Sequence, residues 1–150
     1  MTEPQASQSA RTFRQACSVS VEIAAPIAKV WALISDAKEL VRWNSTVTSL
    51  QGEIAVGSKL ELRVPISPRT FTPRVTELNP PQRMVWSDGF APMFLGVRTF
   101  TLSAIPNGTR FEMREVFSGL MLPLIRGSLP DFGPPFEQWA KDLKSAAEAG

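Results

Sequence analysis

Histidine and tyrosine are absent from this chain of 150 residues, and cysteine occurs once, at Cys17. Without histidine there is no Ser-His-Asp or Cys-His nucleophile system of the usual kind, and histidine-based zinc sites are excluded. A single thiol can form neither a thiolate cluster nor an internal disulfide bond, which agrees with a reducing compartment. Any proton transfer would depend on Asp, Glu or Lys in perturbed surroundings. These absences disfavour most classes of enzyme, and we expect no bound metal and no cofactor.

Long apolar runs, phosphate-binding loops and clusters of one charge are also missing. No stretch approaches the ~20 apolar residues that a membrane-spanning helix needs, and the N-terminal segment lacks the apolar core of a secretory signal. Gly52 and Gly57 are too far apart for a phosphate loop, and they precede a strand pattern instead of a helix. Sixteen basic and fourteen acidic residues give a net charge of +2, and the scattered arginines form no nucleic-acid footprint. We therefore expect a cytoplasmic protein that has no membrane span and binds no nucleic acid.

The remaining composition is typical of one globular domain. Hydrophobic residues make up 43% of the chain and charged residues 20%, and a chain of this length buries roughly 70% of its unfolded surface. Residues 1–16 are polar and predict a disordered tail. Residues 17–150 are predicted to form the domain, as a monomer or a homodimer. Cys17 is predicted to be an inert thiol, because no neighbouring His or Lys lowers its pKa.

An abrupt change of period marks residues 19–44, VSVEIAAPIAKVWALISDAKELVRWN. Val19, Val21 and Ile23 alternate with polar residues, which is the two-residue repeat of a half-buried strand. Pro26 ends this strand and suits the first turn of a helix. The apolar spacing then becomes helical, and a second short helical pattern follows. The segment predicts one strand followed by two short helices.

Strand patterns separated by turn signals occupy the middle of the chain. The six patterns are Thr46–Ile54, Lys59–Ile66, Arg69–Leu78, Gln82–Phe90, Leu95–Ile105 and Thr109–Gly119. Helical spacing then returns over residues 131–147. The side chains expected to face the sheet are those of Phe132, Phe136, Trp139 and Leu143. This order, β-α-α-β6-α, predicts an α+β fold in which a curved antiparallel sheet bends around the long C-terminal helix and leaves a cavity beside it.

Several segments carry a family likeness: the start VEIAAPIAKVWALISDAKELVRWN, the Gly57 turn, VTELNPPQRMVW, NGTRFEMREVFSG and the closing helix. They resemble the START-like or SRPBCC superfamily, the polyketide cyclase/dehydrase and lipid-transport group. The resemblance extends over residues 17–148. It implies the helix-grip fold and a cavity for a hydrophobic ligand. Members include lipid carriers, plant ligand-binding proteins, a co-chaperone group, quinone-binding proteins and aromatic polyketide cyclases, so the resemblance specifies the fold better than the function.

Three charged residues, Arg98, Glu115 and Asp88, share the inward phase of their predicted strands, because side chains two residues apart lie on one face. An unpaired buried charge costs several kcal/mol, so these groups should pair or bind a polar group of a ligand. We predict an Arg98–Glu115 pair that anchors the polar end of an apolar pocket. The alternatives are an ordinary structural ion pair and a β-bulge that shifts the phase and exposes the charges. If the protein is an enzyme, the catalytic candidates are Glu115, Arg98 and Asp88.

Aromatic and aliphatic side chains on the predicted inward faces and near the predicted opening are the candidates for contact with the ligand. Together with Arg98 and Glu115, they are Trp43, Trp86, Phe90, Phe100, Met113, Phe117 and Leu122. Trp31 and Trp139 lie on helical stripes, which favours a role in the core. The apolar segments 90–94 and 120–125 are flanked by Gly and Pro, and they indicate either an adaptable lid or simple packing under the long helix.

The sequence favours a binding module that holds a hydrophobic or amphipathic small molecule in an internal cavity. Candidate ligands are a lipid, a polyketide-like aromatic and an isoprenoid. A second interpretation is a polyketide cyclase/dehydratase that folds a poly-ketone chain in the pocket. A third is a co-chaperone-like protein-interaction module, which requires an exposed apolar patch outside the cavity.

Overall fold

The structure is a computed structural model, and it describes residues 3–149. These residues contain nine strands and four α-helices. The strands are β1 Ser7–Arg11, β2 Arg14–Ile23, β3 Ser49–Gln51, β4 Glu61–Arg63, β5 Thr70–Phe71, β6 Arg74–Asn79, β7 Arg83–Phe90, β8 Phe94–Ile105 and β9 Gly108–Ser118. The helices are α1 Ile27–Ile34, α2 Ala37–Trp43, α3 Leu122–Ile125 and α4 Gly133–Glu148, with a 3₁₀ turn at Arg126–Ser128. A six-stranded antiparallel sheet has the order β1-β2-β9-β8-β7-β6, and β3, β4 and β5 form a second, smaller sheet.

The two short helices begin where local chemistry favours a helix start. Pro26 precedes α1 with an extended backbone, and its carbonyl accepts a hydrogen bond from the N–H of Val30. Asp36 precedes α2, and its carboxylate accepts hydrogen bonds from the N–H groups of Lys38 and Glu39. The predicted strand followed by two short helices is confirmed.

The long helix α4 lies across the concave face of the large sheet. Pro134 and Pro135 occupy its first turn, where a missing N–H costs no intrahelical bond. Its buried side chains are those of Phe136, Trp139, Ala140, Leu143 and Ala147. They join inward-facing residues of β2, β8 and β9 in one hydrophobic core. The predicted α+β helix-grip fold is therefore confirmed.

Prolines explain the main differences between the predicted and the observed strands. The pattern Lys59–Ile66 forms only β4, because Pro65 has no N–H with which to continue the ladder. The pattern Arg69–Leu78 is divided at Pro73 into β5 and β6. Among residues 3–149, seven strands in two sheets therefore follow the short helices, where the sequence pattern predicts six.

The N-terminal segment is ordered, which corrects the prediction of a disordered tail for residues 7–16. Ser7–Arg11 form β1 and pair antiparallel with β2. The N–H of Ala6 donates to Glu137 Oε2 of α4 at 2.8 Å. Every side chain of β1 is exposed, so no apolar alternation marks this strand in the sequence. Residues 1 and 2 of the predicted tail lie outside the described residues.

None of the helices in residues 3–149 combines the length and the apolar character needed to cross a bilayer.

Candidate ligand-binding site

A buried ion pair lies on the concave face of the large sheet. Arg98 of β8 and Glu115 of β9 are directly opposite each other, and Arg98 Nε donates to Glu115 Oε1 at 2.7 Å. The two side chains are only 16% and 11% exposed. The pairing of β8 with β9 runs without a register shift, so a β-bulge does not turn these charges outward. The predicted contact between Arg98 and Glu115 is therefore present, and its role as the anchor of a ligand pocket stays a prediction.

The surroundings of the pair are partly aromatic and leave space for the carboxylate. The guanidinium of Arg98 lies 5.0 Å from the centre of the Phe136 ring, which places a cation over the face of an aromatic side chain of α4. Gly96 is two residues before Arg98 on the same face of β8. A Cβ at Gly96 would lie 3.2 Å from Glu115 Oε2 and from the ring of Phe117, so the glycine leaves room for both. Neither Gly96 nor Phe136 is among the site residues predicted from the sequence.

One row of cross-strand neighbours runs through the pair. The successive partners are Val75 on β6, Trp86 on β7, Arg98 on β8, Glu115 on β9 and Cys17 on β2. The row thus changes from an apolar side chain through an indole and an ion pair to a thiol.

Trp86 carries a polar atom without a partner. Its side chain is 4% exposed, and its indole Nε1 is one of two buried side-chain nitrogens within residues 3–149 that have no hydrogen-bond acceptor. The other is Nδ2 of Asn44, whose Oδ1 accepts from the N–H and the hydroxyl of Thr46. A buried donor without an acceptor costs about 1–3 kcal/mol. Trp86 is the cross-strand partner of Arg98, so the residue that carries this donor is next to Arg98 on the sheet.

The thiol of Cys17, on β2 beside Glu115, is buried. Cys17 is 4% exposed, and burial is the main cause that raises its pKa from 9.0 to about 11. The negative charge of Asp131 raises this pKa further, while Arg98 acts in the opposite direction. The thiol is therefore protonated at neutral pH, as the sequence predicts.

Aromatic side chains occupy the space between α4 and the sheet. Trp139 stacks on Phe111 with ring centroids 5.3 Å apart. The centroid of its ring is also 5.5 Å from that of Phe100 and 5.0 Å from that of Trp43. Trp86 meets Phe100 edge to face at 4.9 Å. These contacts close the region where the sequence predicts an internal cavity, so that cavity stays a prediction and would require these side chains to move.

A concavity of about 380 Å³ lies elsewhere, on the small sheet. Its lining residues are Gln51, Gly52, Lys59, Glu61 and Thr72. None of them was predicted as a site residue.

Most of the predicted ligand contacts are buried in the core. The buried ones are Trp86, Phe100, Met113, Glu115, Phe117 and Leu122. Trp43 is half-buried, and its Nε1 donates to the carbonyl of Leu33 at 3.0 Å. Asp88 is also half-buried, and its carboxylate accepts from the N–H of Thr72 at 3.3 Å.

Phe90 is the exception, because its side chain is 71% exposed at the end of β7. This corrects its predicted inward position. Alternation assigns Phe90 to the face of Met84 and Trp86, but no part of the described chain covers its side chain at the strand end.

The comparisons with known proteins assign the chain to a family and support the fold. A family model described as polyketide cyclase / dehydrase and lipid transport matches residues 14–149. The comparison with curated proteins found no similar sequence.

Solved structures with the same fold share little sequence with this chain. A Mesorhizobium loti protein of known crystal structure is 20% identical, with a TM-score of 0.69. The match covers 87% of this chain and 94% of the Mesorhizobium loti chain. CalU16 from Micromonospora echinospora is 15% identical, with a TM-score of 0.67, and the match covers 98% of this chain and 87% of CalU16. The di-domain ARO/CYC protein BexL from the BE-7585A biosynthetic pathway is 16% identical, with a TM-score of 0.71. That match covers 93% of this chain and 52% of BexL, so the chain corresponds to about half of the di-domain protein.

Proposed function

Because the chain belongs to the polyketide cyclase / dehydrase and lipid transport family, we propose that it binds an amphipathic small molecule between α4 and the concave face of the large sheet. The ligand is a lipid, a polyketide-like aromatic or an isoprenoid. Its polar group is held by Trp86 and Arg98. The observation that carries this proposal is the buried indole N–H of Trp86, which has no acceptor and belongs to the cross-strand partner of Arg98.

The proposed anchor has a defined chemical preference. Trp86 supplies one N–H, and the Arg98 guanidinium supplies further N–H groups beyond the Nε that binds Glu115. Because Glu115 already balances the charge of Arg98, an added carboxylate would leave an uncompensated negative charge in a buried site. A neutral acceptor, such as a carbonyl or a hydroxyl oxygen, avoids this cost. The site therefore favours neutral polar groups over carboxylates.

Ligand entry requires the interior to open. The ligand would replace contacts that Trp139 and Phe136 of α4 make with the sheet, so binding would be coupled to a movement of α4 or of these side chains. Phe100, Met113, Phe117 and Leu122 would then line the apolar part of the pocket. Phe100 and Met113 belong to the hydrophobic core that the sheet shares with α4, and Phe117 stacks on Phe132 at the start of α4, which supports this assignment.

The test measures the indole N–H of Trp86 directly. The probes are anthraquinone with its carboxylate derivative, and oleyl alcohol with oleate. In ¹⁵N–¹H spectra we expect the Trp86 indole resonance, assigned with Trp86→Phe, to shift on binding of the neutral member of each pair. Loss of one hydrogen bond in Trp86→Phe should weaken its binding about tenfold, whereas the control Trp31→Phe should bind like the wild type.

Three outcomes would contradict the proposal. Binding of a probe without any shift of the Trp86 indole resonance would place the ligand elsewhere. Failure of every probe to bind the folded protein would remove the binding function itself. A preference for the carboxylate over the neutral member would show that the polar anchor is assigned wrongly.

The second candidate function is that of a polyketide cyclase/dehydratase, which the family description also favours. In that case Arg98 and Glu115 would polarise a carbonyl or move a proton in the same site, and Asp88 would assist. The salt bridge engages Glu115 with Arg98, and a backbone N–H engages Asp88. These contacts favour structural and orienting roles, so the binding function is the first proposal. A cytoplasmic location and a monomeric or homodimeric state remain predictions.

A further inference from the structure

The large exposed apolar side chains are concentrated at one end of the molecule. Five of the seven such residues in the described part of the chain come from three segments, residues 10–15, 89–95 and 119–130. They are Phe13, Phe90, Met93, Leu120 and Leu124. We call these three segments the apolar tip.

Backbone hydrogen bonds hold the three segments of the apolar tip together. The N–H of Gly119 donates to the carbonyl of Phe13 at 3.1 Å, which joins the β1–β2 turn to the end of β9. The N–H groups of Leu120 and Met121 donate to the carbonyls of Pro92 and Met93 at 3.0 and 2.9 Å, which joins the same segment to the β7–β8 turn. The five exposed side chains therefore belong to one connected surface.

Arg126 fixes the position of the β1–β2 turn. Its Nε donates to Gln15 Oε1 at 3.0 Å, and its Nη2 donates to the carbonyls of Arg11 and Thr12. The exposed Phe13 is therefore held beside the segment 119–130, and the tip is a built surface instead of a set of independent loops.

The charges of the apolar tip all have one sign. The three segments contain Arg11, Arg14 and Arg126 and no Asp or Glu. Arg11 and Arg14 are exposed on either side of Phe13. The acidic residues next to the tip in sequence are Asp88, which accepts from the N–H of Thr72, and Asp131, which accepts from Gln8 Nε2 at 3.1 Å.

We propose that the apolar tip docks on the surface of an anionic lipid bilayer. Phe13, Phe90 and Leu124 insert into the interface between headgroups and acyl chains, and Arg11 and Arg14 lie at the level of the lipid phosphates. Peripheral binding of this kind combines buried apolar area with attraction to anionic lipids. A second copy of the chain is a poorer partner, because an interface between two tips would oppose arginines with no carboxylate in either set of segments.

Aromatic contacts connect the apolar tip with the interior. Phe94 stacks on Phe117, and Phe117 stacks on Phe132, with ring centroids 5.8 and 5.2 Å apart. The ring centroids of Phe132 and Phe136 are 6.1 Å apart. Phe136 lies under the guanidinium of Arg98. Docking would thus place the bilayer at one end of an apolar path that leads to the ion pair. The docking itself does not depend on the proposed ligand.

The test is sedimentation with vesicles of phosphatidylcholine, with and without phosphatidylglycerol. We expect the wild-type protein to bind the vesicles that contain phosphatidylglycerol. The double variant Phe90→Ser/Leu124→Ser should lose about tenfold or more in partition coefficient. The matched control is Val56→Ser/Ile66→Ser, which removes two exposed apolar side chains outside the tip and should bind like the wild type.

A charge variant tests the second part of the proposal. Arg11→Gln/Arg14→Gln should weaken binding to the anionic vesicles about tenfold and remove the preference for phosphatidylglycerol. Circular dichroism and thermal unfolding of each variant check that the fold is intact. We expect it to be intact because the substituted residues are exposed.

Three outcomes would overturn the proposal: no binding of the wild type to anionic vesicles, equal binding of the tip variant and the wild type, or equal losses in the tip and control variants. If sedimentation equilibrium showed instead that the tip variants abolish self-association while vesicle binding is unchanged, the tip would be an interface between copies. A stoichiometric protein partner whose binding depends on the tip, without vesicle binding, would likewise replace the bilayer by a protein.

Discussion

At the scale of single residues, Arg98 and Glu115 are held by their positions on neighbouring strands. The 2.7 Å bond between two side chains that are mostly shielded from water makes each charge dependent on the other. Removing one charge from such a pair leaves the other without compensation, which is more costly than losing an exposed ion pair.

We therefore expect Glu115→Gln to lower the free energy of unfolding by about 1–3 kcal/mol, as measured by urea denaturation. The control is Glu77→Gln, which disrupts the Arg83–Glu77 pair, whose side chains are 46% exposed. That change should cost less than about 1 kcal/mol. Equal losses of unfolding free energy for the two substitutions would show that burial does not make the Arg98–Glu115 pair more important for stability than an exposed pair. If Glu115→Gln instead left folding and ligand binding intact but removed a cyclisation or dehydration activity, the enzyme proposal would be right and the binding proposal wrong.

Cys17 supplies a second prediction at this scale. Its folded-state pKa of about 11 is above the ordinary value of 9.0, so between these values the folded state holds a proton that the unfolded state has lost. Stability from this group is therefore present below pH 9 and falls as the pH rises toward 11. We expect the difference in unfolding free energy between the wild type and Cys17→Ala to shrink over this range. Iodoacetamide should label Cys17 slowly in the native protein and rapidly in urea, and rapid native labelling would contradict the buried thiol.

At the scale of secondary-structure elements, α4 and β1 differ in how they are stabilised. The helix buries one apolar stripe against the sheet, so its position follows from side-chain packing. The strand β1 has only exposed side chains, so it depends on backbone pairing with β2 and on contacts with α4. One of these contacts is the 2.8 Å bond from the N–H of Ala6 to Glu137.

Phe136 tests the importance of the packed stripe. The side chain is 2% exposed and contacts both Phe132 and the guanidinium of Arg98. We expect Phe136→Ala to lower the free energy of unfolding by about 3–5 kcal/mol, because it leaves a cavity in a packed core. Ser145→Ala on the exposed face of α4 is the control and should change stability by less than about 0.5 kcal/mol. A loss for Phe136→Ala as small as that of the control would show that α4 is not held by this face.

At the scale of the whole molecule, the end of α4 is tied to the beginning of the domain. Glu148 accepts hydrogen bonds from the N–H of Ala24 at 2.8 Å and from Lys144, and Lys144 also donates to the carbonyl of Glu22. These contacts join the last helix to the connection between β2 and α1. The hydrogen bond from the Ala24 N–H is the main cause that lowers the pKa of Glu148, and Lys144 lowers it further.

The lowered pKa of Glu148 predicts how this tie depends on pH. A carboxylate whose pKa is lower in the folded state stabilises the protein above its unfolded pKa, and this stabilisation is lost as the pH falls through the folded pKa. We expect Glu148→Gln to be less stable than the wild type at neutral pH and to match it in acid. Thermal unfolding of both proteins across the acid range measures the difference. A difference that persists unchanged in acid would contradict the assignment to the carboxylate charge.

Elements whose signal is local can be predicted from the sequence alone. The alternation of Val19, Val21 and Ile23 and the spacing of Phe136, Trp139 and Leu143 follow from strand and helix geometry alone. The shared face of Arg98 and Glu115 with apolar neighbours likewise follows from the two-residue repeat of a strand.

What lies opposite each face depends on the tertiary structure and cannot be predicted from local patterns. Alternation cannot show that Phe90 is left exposed, that Trp139 stacks on Phe111, or that the indole N–H of Trp86 has no acceptor. Nor can it find β1, whose polar side chains carry no periodic signal. The physical reason is that a face is a property of one segment, whereas packing, pairing and hydrogen-bond partners depend on segments that are distant in the sequence.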